Sequence, residues 1–213
     1  MKFTEETLSE LSSLLRQAEK YCNADDTAKS VAEYKKVCLK YEEVKDFPTA
    51  SYFYQKCLIM SKQTKYPEGE ATSYMGLGLC EEGERNITKA QEYYETALEK
   101  ALDKDLHAIV KLISEQLIRI YEKLAITCEE SGDYQKTLDY YDKCLDASKR
   151  ALNSQKEAEC YYKLGMTFEK TKELEKSVEA LEKFLSICEK TNNQVNLKIV
   201  LFNFLNRRVR VWP

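Results

Sequence analysis

Tyr34-Lys35-Lys36-Val37-Cys38-Leu39-Lys40-Tyr41, followed by Ala50, Tyr54 and Cys57, decides the fold, because the chain states this pattern four times. The second copy runs Tyr74, Leu77 and Gly78, then Ala90, Tyr94 and Ala97. The third runs Tyr121, Leu124, Ala125 and Cys128, then Thr137, Tyr141 and Cys144. The fourth runs Tyr161, Leu164, Gly165 and Phe168, then Ser177, Leu181 and Phe184. In every copy a small residue stands 16 positions after the leading aromatic, and successive copies begin 40, 47 and 40 residues apart. Such a period marks a repeat architecture, in which each unit buries its apolar face on its neighbour.

The apolar residues recur at helical spacing, so each copy predicts a pair of antiparallel helices. The pairs are expected over residues 31–62, 71–104, 106–150 and 158–190. One small residue in each helix lets the two backbones approach. The aromatics then fill the volume beside them, and each large side chain buried this way contributes about 1.5–3 kcal/mol. Corner signals fall between the two helices, at Lys45-Asp46-Phe47-Pro48, Glu82-Gly83-Glu84-Arg85-Asn86 and Ser131-Gly132-Asp133-Tyr134. The fourth corner, Lys170-Thr171-Lys172-Glu173, is weaker. The 47-residue interval predicts extra helical turns, because Leu106 to Glu130 reads as one long amphipathic helix.

The ends differ. Leu8, Leu11, Leu15, Ala18 and Cys22 predict a helix over residues 5–22 behind a Thr4 cap. It is either the second helix of a degenerate repeat or the N-terminal cap of the stack. Residues 195–211 are expected to form a capping helix or a divergent tail, and Arg207-Arg208-Val209-Arg210-Val211-Trp212-Pro213 fits no repeat.

Composition removes whole classes of function. Thirty-three Lys and Arg against thirty-six Asp and Glu leave a net charge of −3, too few cations for a general nucleic-acid binder. No run approaches the length of a membrane span, and the start lacks the apolar core of a signal peptide. Eight cysteines never come closer than sixteen residues in sequence, so no CxxC metal or redox motif exists. They are expected to be small buried hydrophobes in a reducing compartment. The single histidine, His107, has no catalytic motif around it and is expected at a surface or between helices. No Gly-rich loop opens a helix, so no nucleotide site is expected. No cofactor, no metal and no catalytic residue follow from these observations.

The four copies resemble the tetratricopeptide repeat, whose pattern is W-x2-L-G-x2-Y, then A-x3-F, then P, at a period of 34. Tyr replaces the leading Trp, the final Pro is absent, and the period is longer by 6, 13 and 6 residues. The resemblance implies an all-α, right-handed helical solenoid of about four stretched helix pairs plus terminal helices.

Such a solenoid exposes a face made by the first helix of each pair. The residues expected there are Lys35, Leu39, Met75, Leu79, Glu122, Ile126, Tyr162 and Met166. Six of the eight are apolar, and Glu42, Glu43, Glu82, Glu129, Glu130 and Glu169 follow one turn on. An apolar floor with an acidic rim fits an amphipathic helix or extended segment with basic flanks. The alternative is that the chain's own ends cover it. Chaperone-binding relatives hold an acidic peptide with a Lys/Asn/Arg clamp, and the matching positions here carry Met, Leu, Ile and Glu.

Residues from about 34 to 190 are similar to ciliary members of the superfamily in particular. The runs that carry this are Gly69-Glu70-Ala71 before Tyr74, Leu117-Ile118-Arg119-Ile120-Tyr121 before Gly132-Asp133-Tyr134, and Lys156-Glu157-Ala158-Glu159 before Tyr161. This resemblance implies a non-catalytic scaffold of the ciliary or flagellar axoneme. Its implied partners are the axonemal dynein tail or accessory subunits and doublet microtubule proteins, with no nucleic acid and no membrane. The alternative is a soluble cytoplasmic co-chaperone or an intraflagellar-transport adaptor for dynein assembly.

Overall fold

The computed structural model describes residues 3–191, and these form nine α-helices. They are α1 (Glu5–Asn23), α2 (Thr27–Glu43), α3 (Phe47–Gln63), α4 (Pro67–Gly83), α5 (Ile87–Leu102), α6 (His107–Glu130), α7 (Tyr134–Arg150), α8 (Ser154–Lys170) and α9 (Leu174–Lys190). The expected pairs are α2/α3, α4/α5, α6/α7 and α8/α9. The chain divides into two compact units, Met1–Ile113 and Ser114–Pro213. In the first, α1 to α5 pack each on the next, and α2 also meets α4. In the second, α7 packs on α8 and α8 on α9. The expectation for residues 195–211 lies outside the described residues.

The stretched period has a simple origin. Six helices are 17 residues long, and three-residue connectors join them, so one hairpin and its two connectors occupy forty residues. Relative to a 34-residue unit, each helix gains just under one turn. The 47-residue interval comes from α6, which has 24 residues. Tyr34, Tyr74, Tyr121 and Tyr161 each stand nine residues before their helix ends, so the seven extra residues of α6 are two turns added at its start.

The helix ends repeat one device. After each of α1 to α8 a residue takes positive φ, between 54° and 78°. A backbone N–H beyond it then reaches back five residues, as Asp46 N does to Tyr41 O at 2.9 Å and Asn153 N to Ser148 O at 3.0 Å. This Schellman arrangement satisfies carbonyls that the helix leaves open. Only one of the eight positive-φ residues is glycine, Gly132; the others are Asp25, Lys45, Lys65, Arg85, Asp105, Leu152 and Lys172. The next residue commonly caps the following helix: Asp46, Asp133 and Asn153 accept from the backbone N–H of Thr49, Lys136 and Lys156 at 3.2, 3.2 and 3.0 Å. Thr4 does the same for α1, accepting from Thr7 N at 3.2 Å.

The small residues sit where the spacing places them. Ala50, Ala90, Thr137 and Ser177 are all buried. Cys38 Sγ lies 3.6 Å from the Ala50 carbonyl, and Ser177 Oγ donates to the Gly165 carbonyl at 2.8 Å. A Cβ at Gly78 would lie 2.8 Å from the Tyr94 ring, and one at Gly165 would lie 2.8 Å from Leu181 Cγ. The repeat thus packs its first-helix small residue on its second-helix aromatic or leucine.

One junction goes further. Gly69, Gly76 and Gly83 stand seven apart on α4, and Ser61, Tyr54 and Phe47 stand seven apart on α3. A Cβ at each glycine would collide with its partner side chain, and at Gly69 with Tyr66 as well. α4 therefore offers α3 a face without side chains, and large aromatics close the distance.

The N-terminal stripe is partly used. Leu11 and Ala18 of α1 are buried, whereas Leu8 and Cys22 are exposed. The Ala18 carbonyl accepts from Ser30 Oγ of α2 at 2.8 Å, and Glu10 pairs with Lys40 at 3.1 Å. These contacts hold α1 against α2.

Candidate functional site

The eight expected surface residues divide between the two units. In the first unit, α2 carries Lys35 and Leu39, and α4 carries Met75 and Leu79. Leu39 is 52% exposed, and Met75 and Leu79 are partly buried. Lys35 does not stand free, because its ammonium bonds to Thr72 Oγ1 on α4. Burial pulls the Lys35 pKa down, with Glu68 opposing. Lys35 therefore ties two first helices together.

In the second unit, α6 carries Glu122 and Ile126, and α8 carries Tyr162 and Met166. Ile126 is 46% exposed. Glu122 accepts from Lys156 of α8 at 2.9 Å, and Glu159 holds the same ammonium at 2.7 Å. Burial works against the charge on Lys156, but the two carboxylates outweigh it and raise its pKa. Glu122 occupies the same repeat position as Lys35, so both units use that position to bridge successive first helices, with opposite charge. Tyr162 turns toward α9, its ring centroid 5.6 Å from that of Phe184.

Two of the six carboxylates expected as a rim, Glu42 and Glu82, bond to tyrosines of their own hairpins. Glu42 accepts from the Tyr54 hydroxyl at 2.9 Å, and Glu82 accepts from the Tyr94 hydroxyl at 3.3 Å. Each pair spans twelve residues within one hairpin. Burial raises the Glu42 pKa, and the Tyr54 bond opposes it. In the third copy, Glu129 pairs with Lys170 instead, and the buried Tyr141 hydroxyl has no hydrogen-bond partner. In the fourth, Leu181 takes the tyrosine position. Glu43 and Glu130 are exposed and remain available at the edge. The twelve-residue recurrence at 42/54 and 82/94 is the sequence signal for these bonds, and the same spacing at 129/141 carries none.

Tyrosine rings are flanked by lysines in the same periodic way. Lys56, Lys143 and Lys183 stand 22 residues after Tyr34, Tyr121 and Tyr161, at 4.5, 5.5 and 5.7 Å from the ring centroids. Lys149 reaches Tyr161 from the preceding hairpin, also at 5.7 Å.

The histidine and the cysteines differ in exposure. His107 is exposed at the start of α6. Six of the eight free cysteines are buried, while Cys22 is exposed and Cys128 is intermediate. Burial pushes the Cys57 and Cys80 thiols up to about 12, and Cys38 higher still. A thiol so held is a poor nucleophile. No group of three His, Cys, Asp or Glu able to hold a metal occurs among the described residues, and no helix among them is long and apolar enough to cross a membrane. Exposed or half-exposed aliphatic side chains stand beside the charged ties in each unit, Leu39 and Leu79 in the first and Ile126 and Met166 in the second.

Comparison with known proteins agrees with this architecture. Models of the tetratricopeptide repeat match residues 71–101 and 116–190. Tetratricopeptide repeat protein 29 of Mus musculus is 30% identical over 135 residues, covering 59% of this chain and 28% of that protein. The chain thus spans little more than a quarter of that relative. The crystal structure of BtubC (BKLC) from P. vanneervenii matches with a TM-score of 0.60 at 18% identity, covering 96% of this chain and 87% of that one. The apo form of RapI matches with a TM-score of 0.54 at 17% identity, covering 99% and 62%. Both structures share the fold.

Proposed function

Because the chain belongs to the tetratricopeptide repeat superfamily, a scaffold suited to protein–protein interaction, we propose that it is a non-catalytic adaptor of the ciliary or flagellar axoneme. It joins a dynein tail or a dynein accessory subunit to its neighbours, among them proteins of the doublet microtubule. The similarity to mouse tetratricopeptide repeat protein 29 over 135 residues carries this reading, through the ciliary members that residues 34–190 resemble. The surface supports it. Leu39, Leu79, Ile126 and Met166 offer aliphatic contacts, and Glu43 and Glu130 favour a partner with basic flanks.

The test is fractionation of flagella that carry the tagged chain. The adaptor remains with the axoneme after detergent and leaves it together with dynein heavy chains in high salt. Recovery wholly in the detergent-soluble fraction rejects the axonemal role. It leaves the chain as a soluble co-chaperone or transport adaptor for dynein assembly.

A further inference from the structure

We propose that Cys144 of α7 and Cys160 of α8 are the site of a reversible disulfide that fastens the third hairpin to the fourth. Their sulfurs lie 3.1 Å apart, both side chains are buried, and both are free thiols. A disulfide needs about 2.05 Å between sulfurs, so closing it takes about one ångström of approach. Cys144 Sγ has the Ile118 carbonyl at 3.8 Å, and Cys160 Sγ has the Ser148 hydroxyl at 3.8 Å, both weak contacts for a thiol.

The repeat does not require sulfur at either place. The positions equivalent to Cys144 hold Cys57, Ala97 and Phe184, and those equivalent to Cys160 hold Glu33, Ser73 and Ile120. Packing alone therefore does not account for a cysteine opposite a cysteine at this junction.

The chemistry balances with a small disulfide such as oxidised glutathione as the oxidant. One protein thiol, as its thiolate, attacks a glutathione sulfur and releases the first glutathione thiol. The second protein thiol then attacks the mixed disulfide and releases the other. Two S–H bonds are lost from the protein, one S–S bond forms, and the two electrons and two protons end in two glutathione thiols. The contact with the Cys160 thiol and then burial disfavour the Cys144 thiolate, so attack proceeds when α7 and α8 part locally. The closed bond is then shielded from reductant in the same way. It holds α8, with Lys156, Tyr162 and Met166, against α7.

The experiment incubates the whole chain with oxidised glutathione, blocks remaining thiols with N-ethylmaleimide under denaturing conditions, and maps tryptic peptides by mass. The expected product joins peptide 144–149 to peptide 157–163, lighter by two hydrogens than the two thiol peptides together. Dithiothreitol dissolves it, and the oxidised chain melts at a higher temperature than the reduced one. Cys160→Ser loses both the linked peptide and the melting shift. If that variant does not fold, the wild-type map decides by itself. Recovery of Cys144 and Cys160 as separate maleimide adducts, or as two glutathione mixed disulfides, overturns the proposal.

Discussion

The ring of Tyr54 occupies the space where a side chain at Gly76 would be, so α3 meets α4 ring against backbone. Tyr54 cannot retreat easily, because it is buried and its hydroxyl is tied to Glu42. Gly76→Ala sets two effects against each other. Helix propensity favours alanine by about 1 kcal/mol, and overpacking costs about 1–3 kcal/mol. Overpacking wins here, so the urea midpoint falls. Gly78→Leu and Gly165→Leu, against Tyr94 and Leu181, lower it further.

Leu152 is a large apolar side chain, 83% exposed, at a φ of 55°. A left-handed conformation costs a non-glycine residue about 1–2 kcal/mol, and the unfolded-state entropy of glycine returns about 0.5–1 kcal/mol of that. Leu152→Gly is therefore expected to stabilise the protein, by up to about 1.5 kcal/mol in urea unfolding. Gly132→Ala, at a φ of 78° with open space around it, should destabilise by about 1 kcal/mol through the same backbone term.

The Glu42–Tyr54 bond makes a pH prediction. The folded pKa of Glu42 lies above its ordinary value of 4.5, chiefly because burial disfavours the carboxylate. Between 4.5 and that raised value the folded state binds more proton than the unfolded state. Stability from this group is thus present at low pH and is lost as pH rises through the window. Glu42→Gln keeps a carbonyl for the Tyr54 hydroxyl and removes the charge. Its urea midpoint relative to wild type should rise between pH 4 and pH 7. A difference that stays flat with pH contradicts the assignment.

Leu79→Glu combined with Ile126→Glu places charge on two first helices without disturbing the small-residue contacts. Both side chains are at least partly exposed, so circular dichroism should report a folded chain. Losing two apolar contacts of about 1.5 kcal/mol each corresponds to about a hundredfold loss of affinity. Pull-down from axonemal extract measures this. Undiminished capture by the folded double variant places the partner on another face.

Much of the hairpin core was legible because its contacts are local and periodic. Cys38 on Ala50 and Gly165 on Ser177 are separated by twelve residues and recur in register, so spacing alone revealed them. The helix connectors were less legible. Turn reading looks for Gly and Pro and found the corners at Lys45 and Arg85, but between the pairs Lys65 and Leu152 take the left-handed conformation because the Schellman hydrogen bonds compensate for its cost. Two of the rim carboxylates, Glu42 and Glu82, were hidden for a related reason. A glutamate one turn beyond an apolar face reads as solvated until the hydroxyl of Tyr54 or Tyr94 is found within reach.

By itself the sequence determined an all-α chain of four helix pairs, their register, and the long α6, because helical periodicity and small-residue spacing are properties of neighbouring positions along the chain. Only the tertiary structure decided which polar groups are spent internally. It joined Lys35 to Thr72, Glu122 to Lys156 and Cys144 to Cys160, residues 16 to 37 positions apart on different helices. Side-chain reach across a helix junction depends on ångström-scale geometry that spacing along one chain does not encode.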